Sequence, residues 1–259
     1  MLSLQQISEQ YPESLRPFSR ALLREYLQYK ILEIIFTSKY ASKLSFLGGT
    51  ALRIIYDNSR FSEDLDFDNF NLQSSEFEVL SETVRAGLTA EGLSVEINVV
   101  GKEAFRCNVR FPDILFASGL TPHEGEKVLV QIDSLAQGFD YQPDKKILNK
   151  FGVFTEVFVT PLDILLSQKI YAAFNRKRAK GRDFFDIVFL LSITKPNYEY
   201  LKLKIEIDGP ESLRNMITEA TKSIDFKELA KDVQNFLFNP QDAKKVELFN
   251  EFIAQTKLE

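Results

Sequence analysis

The sequence has little of several residue types on which common site chemistries depend. Its 259 residues include one cysteine, Cys107, one histidine, His123, and no tryptophan. A single cysteine excludes an internal disulfide framework, and with only one histidine beside it the composition argues against a zinc site. Any histidine-based acid–base chemistry would have to use His123, which lies in a Thr-Pro-His-Glu-Gly loop. We interpret His123 as a loop residue without a chemical role.

Long apolar runs and an excess of positive charge are also missing. No run approaches the roughly eighteen apolar residues of a membrane helix, and the first residues show no signal-peptide pattern. We therefore expect a cytoplasmic protein without a membrane segment. The formal net charge is −5, so a broad surface that coats nucleic acid is not expected. Nucleic acid would have to be held by a local basic patch.

What the sequence does contain is a compact group of glycines and acids between residues 46 and 68. Residues 64–68 read Asp-Leu-Asp-Phe-Asp. In a strand, this alternation places the apolar side chains in the core and the three aspartates on the opposite face. Two such neighbours lie about 6.5–7 Å apart at Cα, close enough for Asp64 and Asp66 to converge on one metal ion. Without a cation their like charges would repel.

A phosphate-binding loop is predicted just upstream of these acids. Gly48 and Gly49 allow a ligand to approach the backbone, and a helix that starts at Thr50 would direct free N–H groups at an anion. A phosphate cradle beside an acid pair describes a nucleotide site. Two other interpretations stay open: a solvated acidic loop, and a calcium loop. A calcium loop would need glycine and glutamate where Asn69 and Ser75 stand.

The spacing of apolar residues predicts helices and strands in alternation, followed by helices alone. Helices are predicted over residues 13–38, 50–56, 74–91 and 163–174, and strands over 43–47, 64–67, 93–100, 104–111, 127–133 and 151–159. A hairpin turn is predicted at Gly101 and Lys102. Further helices are predicted around 211–224, 226–238 and 241–256, where we find no chemical motif.

Three downstream features could carry chemistry or structure. Asp133 ends a predicted strand, where an aspartate is often a turn former or helix cap. Lys169 lies in an apolar helical register, so its ammonium either extends to solvent or meets an anion. A basic run over 175–182 could be a solvated helix end or a polyphosphate or RNA contact. It leads into Arg182-Asp183-Phe-Phe-Asp186, where a local salt bridge is an alternative to a functional role.

These motifs, in this order, resemble a known family. Gly48-Gly49-Thr50, thirteen residues and then Asp64-Leu65-Asp66 are similar to the signature of the polymerase-beta-type nucleotidyltransferase superfamily. Arg53 and Ser62 before the acids, and the helix with Lys169 followed by Arg182-Asp183-x-x-Asp186, resemble the AbiEii-type toxin nucleotidyltransferases. Many superfamily members have Gly-Ser where Gly48-Gly49-Thr50 stands here, and Asp68 is an additional acid.

The resemblance implies a fold and a domain organisation. We expect an α+β fold with an α/β core, in which a mixed sheet is flanked by helices and followed by a helical C-terminal part. Residues 1–192 would form the nucleotidyltransferase domain with its N-terminal helix. Residues 193–259 would form a helical subdomain packed on it.

The resemblance also implies an activity, which is metal-dependent transfer of a nucleotide from an NTP, with release of pyrophosphate. Asp64, Asp66 and Asp133 would hold Mg²⁺ or Mn²⁺, and Gly48, Gly49 and Thr50 would cradle the phosphates. Lys169 and Arg182 would offset developing charge, and either Asp183 or Asp186 would position the lysine or the acceptor. We assign Asp186 to the catalytic group, and list the candidates for acceptor binding or positioning as Arg53, Ser62, Asp183, Arg176, Lys177, Arg178 and Lys180.

The acceptor and the cellular role follow from the resemblance alone. We expect RNA, with tRNA as the class, and a toxin of a bacterial toxin–antitoxin or phage-defence system restrained by a cognate antitoxin protein. One alternative is a small-molecule nucleotidyltransferase of the antibiotic-inactivating type, which would not need the basic run. Another is a catalytically silent nucleotide-binding or interaction module.

Overall fold

The computed structural model describes residues 1–101 and 104–259. These residues form two compact units, which consist of Met1–Ile55 with Ser62–Thr160, and of Tyr56–Phe61 with Pro161–Glu259. We call them unit 1 and unit 2. The compact units divide after Thr160, and the expected domain boundary after residue 192 stays a prediction. No helix in the described part of the chain is long and apolar enough to cross a membrane.

Unit 1 contains one mixed β-sheet, which has seven strands within the described residues. The strands are β1 Leu44–Leu47, β2 Leu65–Asn69, β3 Glu96–Val100, β4 Phe105–Phe111, β5 Val128–Leu135, β6 Asp144–Lys150 and β7 Val153–Val159. Their order in the sheet is β3-β4-β5-β2-β1-β7-β6. The pairs β2–β5 and β1–β7 are parallel and the remaining pairs are antiparallel. The expected α+β class with a mixed sheet flanked by helices is therefore confirmed.

Helices cover one face of this sheet. The helices of unit 1 are α1 Leu4–Ser8, α2 Ser19–Thr37, α3 Gly48–Tyr56, α4 Ser74–Ala90 and α5 Ile114–Ala117. α2 packs on β7 and α4 packs on β3 and β4. The core between them is apolar because alternate strand residues, including Phe46, Phe67 and Ile132, are almost fully buried. The intervening residues of each strand face away from this core.

β6 is the strand that the sequence pattern does not predict. Residues 144–150 read Asp-Lys-Lys-Ile-Leu-Asn-Lys, and only Leu148 among them is buried. β6 lies at the edge of the sheet, where charged side chains and solvent exposure are normal and apolar alternation is weak. The other predicted strands are confirmed with shifted ends. The turn predicted at Gly101 and Lys102 falls partly on Lys102, which lies outside the described residues.

Unit 2 is helical apart from a short bridge between Arg60 and Leu237. Its helices are α6 Leu162–Asn175, α7 Gly181–Leu191, α8 Tyr198–Ile205, α9 Pro210–Thr221, α10 Phe226–Gln234, α11 Lys244–Glu247 and α12 Phe249–Gln255. α8 is short, and it has three exposed or half-exposed residues for each buried one. Its apolar residues are therefore too few to show the helical periodicity from which a helix could be predicted. Asn197 caps its N-terminus through a side-chain hydrogen bond to the backbone N–H of Tyr200.

One aromatic cluster explains why the chain divides before α6 rather than after α7. Phe184 of α7 makes edge contacts with Phe226 of α10 and with Phe249 at the start of α12, with centroid distances of 5.2 Å and 4.9 Å. Phe226 and Phe249 also stack on each other at 5.4 Å. The apolar face of α7 is therefore part of the same core as the C-terminal helices.

Candidate active site

A single row of residues crosses five neighbouring strands of unit 1 and contains two carboxylates and a guanidinium. In the register of the sheet, Leu47 lies opposite Asp66, Asp66 lies beside Asp133, Asp133 lies opposite Arg106, and Arg106 lies opposite Val100. Neighbouring strands are about 4.8 Å apart, so the two carboxylates and the guanidinium are adjacent. We call these five residues the charged row.

Strand alternation explains why these carboxylates lie on the open face of the sheet. Leu65 and Phe67, on either side of Asp66, are 0% and 2% exposed, and they hold β2 in a fixed orientation. Ile132 does the same beside Asp133. The predicted core positions of Leu65 and Phe67 are therefore confirmed. Asp133 lies on the strand beside β2, as the resemblance implies, although its role as a metal ligand stays a prediction.

The glycine segment begins where β1 leaves the charged row. Gly48 has a φ of +81°, a conformation that side chains disfavour, and a Cβ atom there would collide with the carboxylate of Asp66. α3 starts at this residue. The Thr50 hydroxyl donates a hydrogen bond to the backbone carbonyl of Asp64, which ties the loop to the residue before β2. Glycine is therefore required so that Asp66 can lie against the start of the helix.

Arg106 pairs with Asp133 in the charged row. Its Nε donates to Oδ1 at 2.8 Å and its Nη2 donates to Oδ2 at 3.2 Å, and the Gln131 side chain donates to Oδ2 at 2.8 Å. The hydrogen bond and charge of Asp133, and then the charges of Asp64 and Asp66, raise the pKa of the Arg106 guanidinium. All three predicted carboxylates therefore act electrostatically on one cation.

A cavity of about 460 Å³ opens above the charged row. Its lining includes all five residues of the row, together with apolar side chains such as Phe105 and Leu135. Ligand sites of small molecules commonly measure about 300–1,000 Å³ and combine apolar walls with a few polar groups. The cavity in unit 1 thus has the size and the lining of a nucleotide-sized site with a charged floor.

The carboxylates fit a divalent metal by their chemistry but not by their present arrangement. Mg²⁺ prefers oxygen ligands, and Asp66 and Asp133 supply them from adjacent strands. Among the described residues, however, no group of three or more histidine, cysteine, aspartate or glutamate side chains is arranged to hold a metal. Arg106 and Gln131 engage the oxygens of Asp133 instead. A metal that uses Asp133 would therefore have to replace these partners.

Asp68, the additional acid, is buried and accepts hydrogen bonds from the protein. Its side chain is 1% exposed and accepts hydrogen bonds from the Gln137 backbone at 2.8 Å and from the Tyr141 hydroxyl at 2.9 Å. Burial and the charge of Asp68 raise the pKa of Tyr141, so this hydroxyl stays protonated and acts as a donor. Asp68 lies on the same strand as Asp66 but is not exposed to the cavity.

Unit 2 contains a second group of charges, which is buried. Asp186 is 0% exposed, and Arg60 donates to both of its oxygens, at 2.7 Å and 2.6 Å. Asn58 donates to Oδ1 at 2.9 Å, and the Lys169 ammonium is 2.8 Å from Oδ2. Burial acts to raise the pKa of Asp186, but the charges of Arg60 and Lys169 outweigh it and lower the pKa to about 2. Asp186 is therefore ionised and held by three partners.

The Lys169 ammonium forms ion pairs with carboxylates of the protein itself. Its side chain is 14% exposed, and its Nζ is 2.8 Å from Asp186 and 3.9 Å from Asp183. Asp183 is also buried and lies 3.0 Å from Nη1 of Arg176. Of the two acids between which the motif leaves a choice, Asp186 is the closer partner of Lys169. We call Asp186, Lys169, Arg60, Asn58 and Asp183 the buried cluster.

The basic run has acidic neighbours in unit 2. Lys177, Arg178 and Lys180 are exposed, and Arg182 is half-buried in the first turn of α7. Arg178 lines a shallow cavity of about 560 Å³ whose other lining residues include the acids Asp225, Glu228 and Asp232. The run is therefore less positive in its surroundings than its sequence indicates.

Two further candidate positions are engaged in unit 1. Arg53 is buried and donates to both oxygens of Glu25, at 2.9 Å and 3.2 Å. Tyr11 also donates to Glu25, at 2.7 Å. The backbone carbonyl of Ser62 accepts a hydrogen bond from Gln28. These contacts give Arg53 a structural ion pair, and any contact of Arg53 or Ser62 with an acceptor stays a prediction.

Sequence reasoning did not identify Arg106, Arg60 or Asn58. Arg106 alternates with Phe105 and Cys107, a pattern that shows an outward side chain but not its partner. Arg60 and Asn58 lie 126 and 128 positions from Asp186, and no local spacing relates them. Arg60 is nevertheless among the most buried large side chains of the chain. A charged residue in a polar segment gives no sequence signal of such burial.

Comparisons with known proteins indicate the family and the fold of this chain. The family model described as "Nucleotidyl transferase AbiEii toxin, Type IV TA system" matches residues 30–253. Solved structures with a similar fold include a presumed nucleotidyltransferase from H. pylori, with 19% identity, a TM-score of 0.58, and coverage of 90% of this chain and 94% of that one. Another is JHP933 from Helicobacter pylori, with 18% identity, a TM-score of 0.55, and coverage of 90% and 91%. Curated proteins give no match.

The mixed sheet, with its glycine segment and paired carboxylates on adjacent strands, places this protein in the nucleotidyltransferase class of enzymes. More particularly, the chain belongs to the family of AbiEii nucleotidyl transferase toxins, whose model spans most of its length. The resemblance noted in the sequence is thereby confirmed at the level of family and fold class.

Proposed function

We propose that this protein transfers a nucleotide from an NTP to an RNA acceptor, with tRNA as the expected class, and that the reaction depends on Mg²⁺ or Mn²⁺. The observation that supports this most directly is the charged row. It sets Asp66 and Asp133 side by side on an open sheet face, next to a glycine segment that begins a helix. Paired carboxylates beside a helix N-terminus suit metal-bound phosphates.

Asp64, Asp66 and Asp133 would hold the metal in this proposal. When bound, the ion would neutralise phosphate charge and orient the attacking hydroxyl in line with the leaving pyrophosphate. The chain itself would bind the phosphates through backbone N–H groups at Gly48, Gly49 and Thr50, and the absence of side chains on the two glycines would allow close approach. A part for Lys169 and Arg182 in offsetting charge during transfer stays a prediction of the family resemblance.

The cellular role is proposed from the family. Members are described as toxins of type IV toxin–antitoxin systems, so we propose a toxin that acts in the cytoplasm and is restrained by a cognate antitoxin. A part in phage defence belongs to the same proposal. Co-expression with each gene adjacent to its own would test restraint, since growth arrest by this protein alone should then be relieved by one of them. Growth arrest that persists with every neighbouring gene would argue against an antitoxin.

The activity can be tested with substrates labelled on the α-phosphate. The purified protein would be incubated with each labelled NTP, Mg²⁺ and total bacterial RNA, and the RNA separated by size. We expect label in RNA of tRNA length, lost on chelation of the metal. An Asp66→Ala preparation in the same assay controls for contaminating transferases. Label that appears only in small molecules would replace RNA by a small-molecule acceptor, and no label at all would favour a silent binding module.

The RNA assignment also predicts how the basic run should behave. Changing Arg176, Lys177, Arg178 and Lys180 to glutamine should weaken RNA binding and flatten its dependence on salt by about 0.7–0.9 in slope for each lost phosphate contact. A matched control changes four exposed lysines elsewhere in unit 2, namely Lys202, Lys227, Lys244 and Lys257. Both variants lose four charges. If the two variants show the same RNA affinity and salt dependence, the proposal of a specific RNA contact by the basic run is wrong.

A further inference from the structure

Arg106 occupies oxygens of Asp133 that a metal ion would also need. It binds both oxygens of Asp133 from the neighbouring strand, while Gln131 holds one of the same oxygens. The side chains of Arg106 and Asp133 are 50% and 27% exposed, so the pair faces the solvent of the cavity rather than the core. A carboxylate offers about four lone-pair sites, and a bidentate guanidinium with an amide engages most of them.

The charge of Arg106 also interacts with Asp64 and Asp66. Asp64 and Asp66, which would otherwise repel each other and Asp133, act on the same guanidinium. The charge of Arg106 reduces the mutual repulsion of these carboxylates, and it is this repulsion that favours metal binding in an acid cluster. A divalent cation and Arg106 would therefore compete for one position, both for ligand atoms and for charge.

We propose that Arg106 is a resident counter-ion of the metal site, which competes with the divalent cation for Asp133 and sets the metal affinity. This inference rests on the metal dependence proposed above. Arg106 is a positioning residue in this role, because it acts on the metal through Asp133. In the absence of metal it would offset part of the negative charge of the carboxylates and keep Asp133 turned toward β4. Metal binding to Asp133 would require the guanidinium to release at least one of its oxygens.

The test is metal affinity rather than activity. Binding of Mn²⁺ to the nucleotide-free protein can be followed by the loss of the free-ion electron paramagnetic resonance signal. We expect Arg106→Gln to bind Mn²⁺ more tightly than the wild type by on the order of tenfold, since it removes a competing positive charge at contact distance. Arg106→Lys, which keeps the charge but not the bidentate fork, should lie between the two.

Arg110 provides a matched control on the same strand. It lies four residues from Arg106, about 13 Å along β4 and on the same face, and its register partners are Glu96 and Leu129 rather than an aspartate. Arg110→Gln changes the net charge equally and should leave the Mn²⁺ affinity within about twofold of the wild type. In an Asp133→Asn background, Arg106→Gln should lose most of its effect, because the competition acts through Asp133.

The outcomes separate this inference from the proposed function. If Arg106→Gln and Arg110→Gln have the same Mn²⁺ affinity, the inference is overturned whether or not the wild type transfers nucleotide. If neither the wild type nor any variant binds Mn²⁺ at millimolar concentration, it is overturned as well, together with the metal dependence. Failure of the labelling assay alone, with tighter Mn²⁺ binding by Arg106→Gln, would leave the inference standing and refute only the proposed reaction. Melting curves of all variants would verify that each is folded.

Discussion

Arg106 with Asp133 in unit 1 and Arg60 with Asp186 in unit 2 are both bidentate arginine–carboxylate pairs, but their surroundings differ. The first pair is 50% and 27% exposed and borders a cavity, whereas the second is 1% and 0% exposed and has two additional partners. Water can solvate the charges of the first pair when they separate. In the second pair, separation would leave charges buried without compensation.

The difference distinguishes a pair that a ligand can open from one that holds the fold. Exposed ion pairs contribute about 0–1 kcal/mol to stability, so a metal or nucleotide could displace the first at little cost. Removal of one partner of a buried pair commonly costs about 3–5 kcal/mol. We therefore expect substitutions in the charged row to change binding and transfer, and substitutions in the buried cluster to change stability first.

The largest effect is expected at Asp66. Asp66→Ala should reduce nucleotide transfer by about 10⁴-fold, equivalent to ~5.4 kcal/mol of transition-state stabilisation, because the proposed metal loses a ligand from the centre of the charged row. Its melting temperature should stay close to that of the wild type, since the lost attraction to Arg106 is offset by relief of repulsion among the carboxylates. Single-turnover labelling and thermal melting of the same preparation would measure both.

Asp68 offers the control for this substitution. Asp68→Asn changes a carboxylate on the same strand that is buried and bound by Gln137 and Tyr141. We expect a lower melting temperature but transfer close to that of the wild type. Near-normal activity of Asp66→Ala, or a loss in Asp68→Asn as large as in Asp66→Ala, would show that the charged row is not the site of transfer.

The next effect is on stability and concerns Asp186. Asp186→Ala should lower the free energy of unfolding by about 3–5 kcal/mol, because Arg60 and Lys169 would then lie buried without their main counter-charge. Asp133→Ala, which breaks the exposed bidentate pair, should cost no more than about 1 kcal/mol. Urea unfolding of both variants makes the comparison. Equal midpoints for the two variants would mean that burial does not distinguish the pairs as argued here.

A smaller and mixed effect is expected at Lys169. Lys169→Gln leaves Asp186 with Arg60 and Asn58, so the free energy of unfolding should fall by about 1–3 kcal/mol, the contribution of one charged hydrogen bond. Transfer should fall by about 10²-fold if the ammonium also stabilises charge in the transition state. Turnover measured well below the melting temperature separates the two effects. Loss of stability with unchanged turnover would restrict Lys169 to the buried cluster.

The smallest effect is a dependence of stability on acid pH. The pKa of Asp186 is about 2 in the folded protein and has an ordinary value of 3.8. Because the folded value is the lower one, the stabilisation is present above about pH 4 and is lost as the pH falls toward 2. Asp186→Asn cannot titrate, so its unfolding free energy should vary less with pH over this window. Parallel slopes for the two proteins between pH 4 and pH 2 would contradict the assignment.

Local features of the site were predictable because short-range sterics and alternation determine them. The two glycines mark the start of α3, and the outward Asp66 and the buried Leu65 and Phe67 follow from alternation along β2. A helix was also expected from residue 163, and α6 begins at Leu162. The order of several such motifs was enough to indicate the family, which the family model confirms.

Strand pairing and helix packing determine the features that could not be predicted from the sequence. Nothing in residues 104–111 or 127–133 states that Arg106 lies opposite Asp133, because the register depends on which strands become neighbours. In the edge strand β6 only Leu148 is buried, so its sequence shows no apolar alternation that would predict a strand. The division after Thr160 reflects the aromatic core that joins Phe184 to Phe226 and Phe249.

The sequence by itself determined that acids and glycines come together within one strand–helix–strand segment, since backbone geometry acts over a few residues. Only the tertiary structure decided which of the charges remain exposed. Asp186 and Arg60 are 126 residues apart and lose their hydration together, whereas Asp133 and Arg106 stay 27% and 50% exposed beside the cavity of unit 1. Desolvation depends on everything packed around a charge, and for this reason the same pair of residue types holds the fold in one unit and borders a cavity in the other.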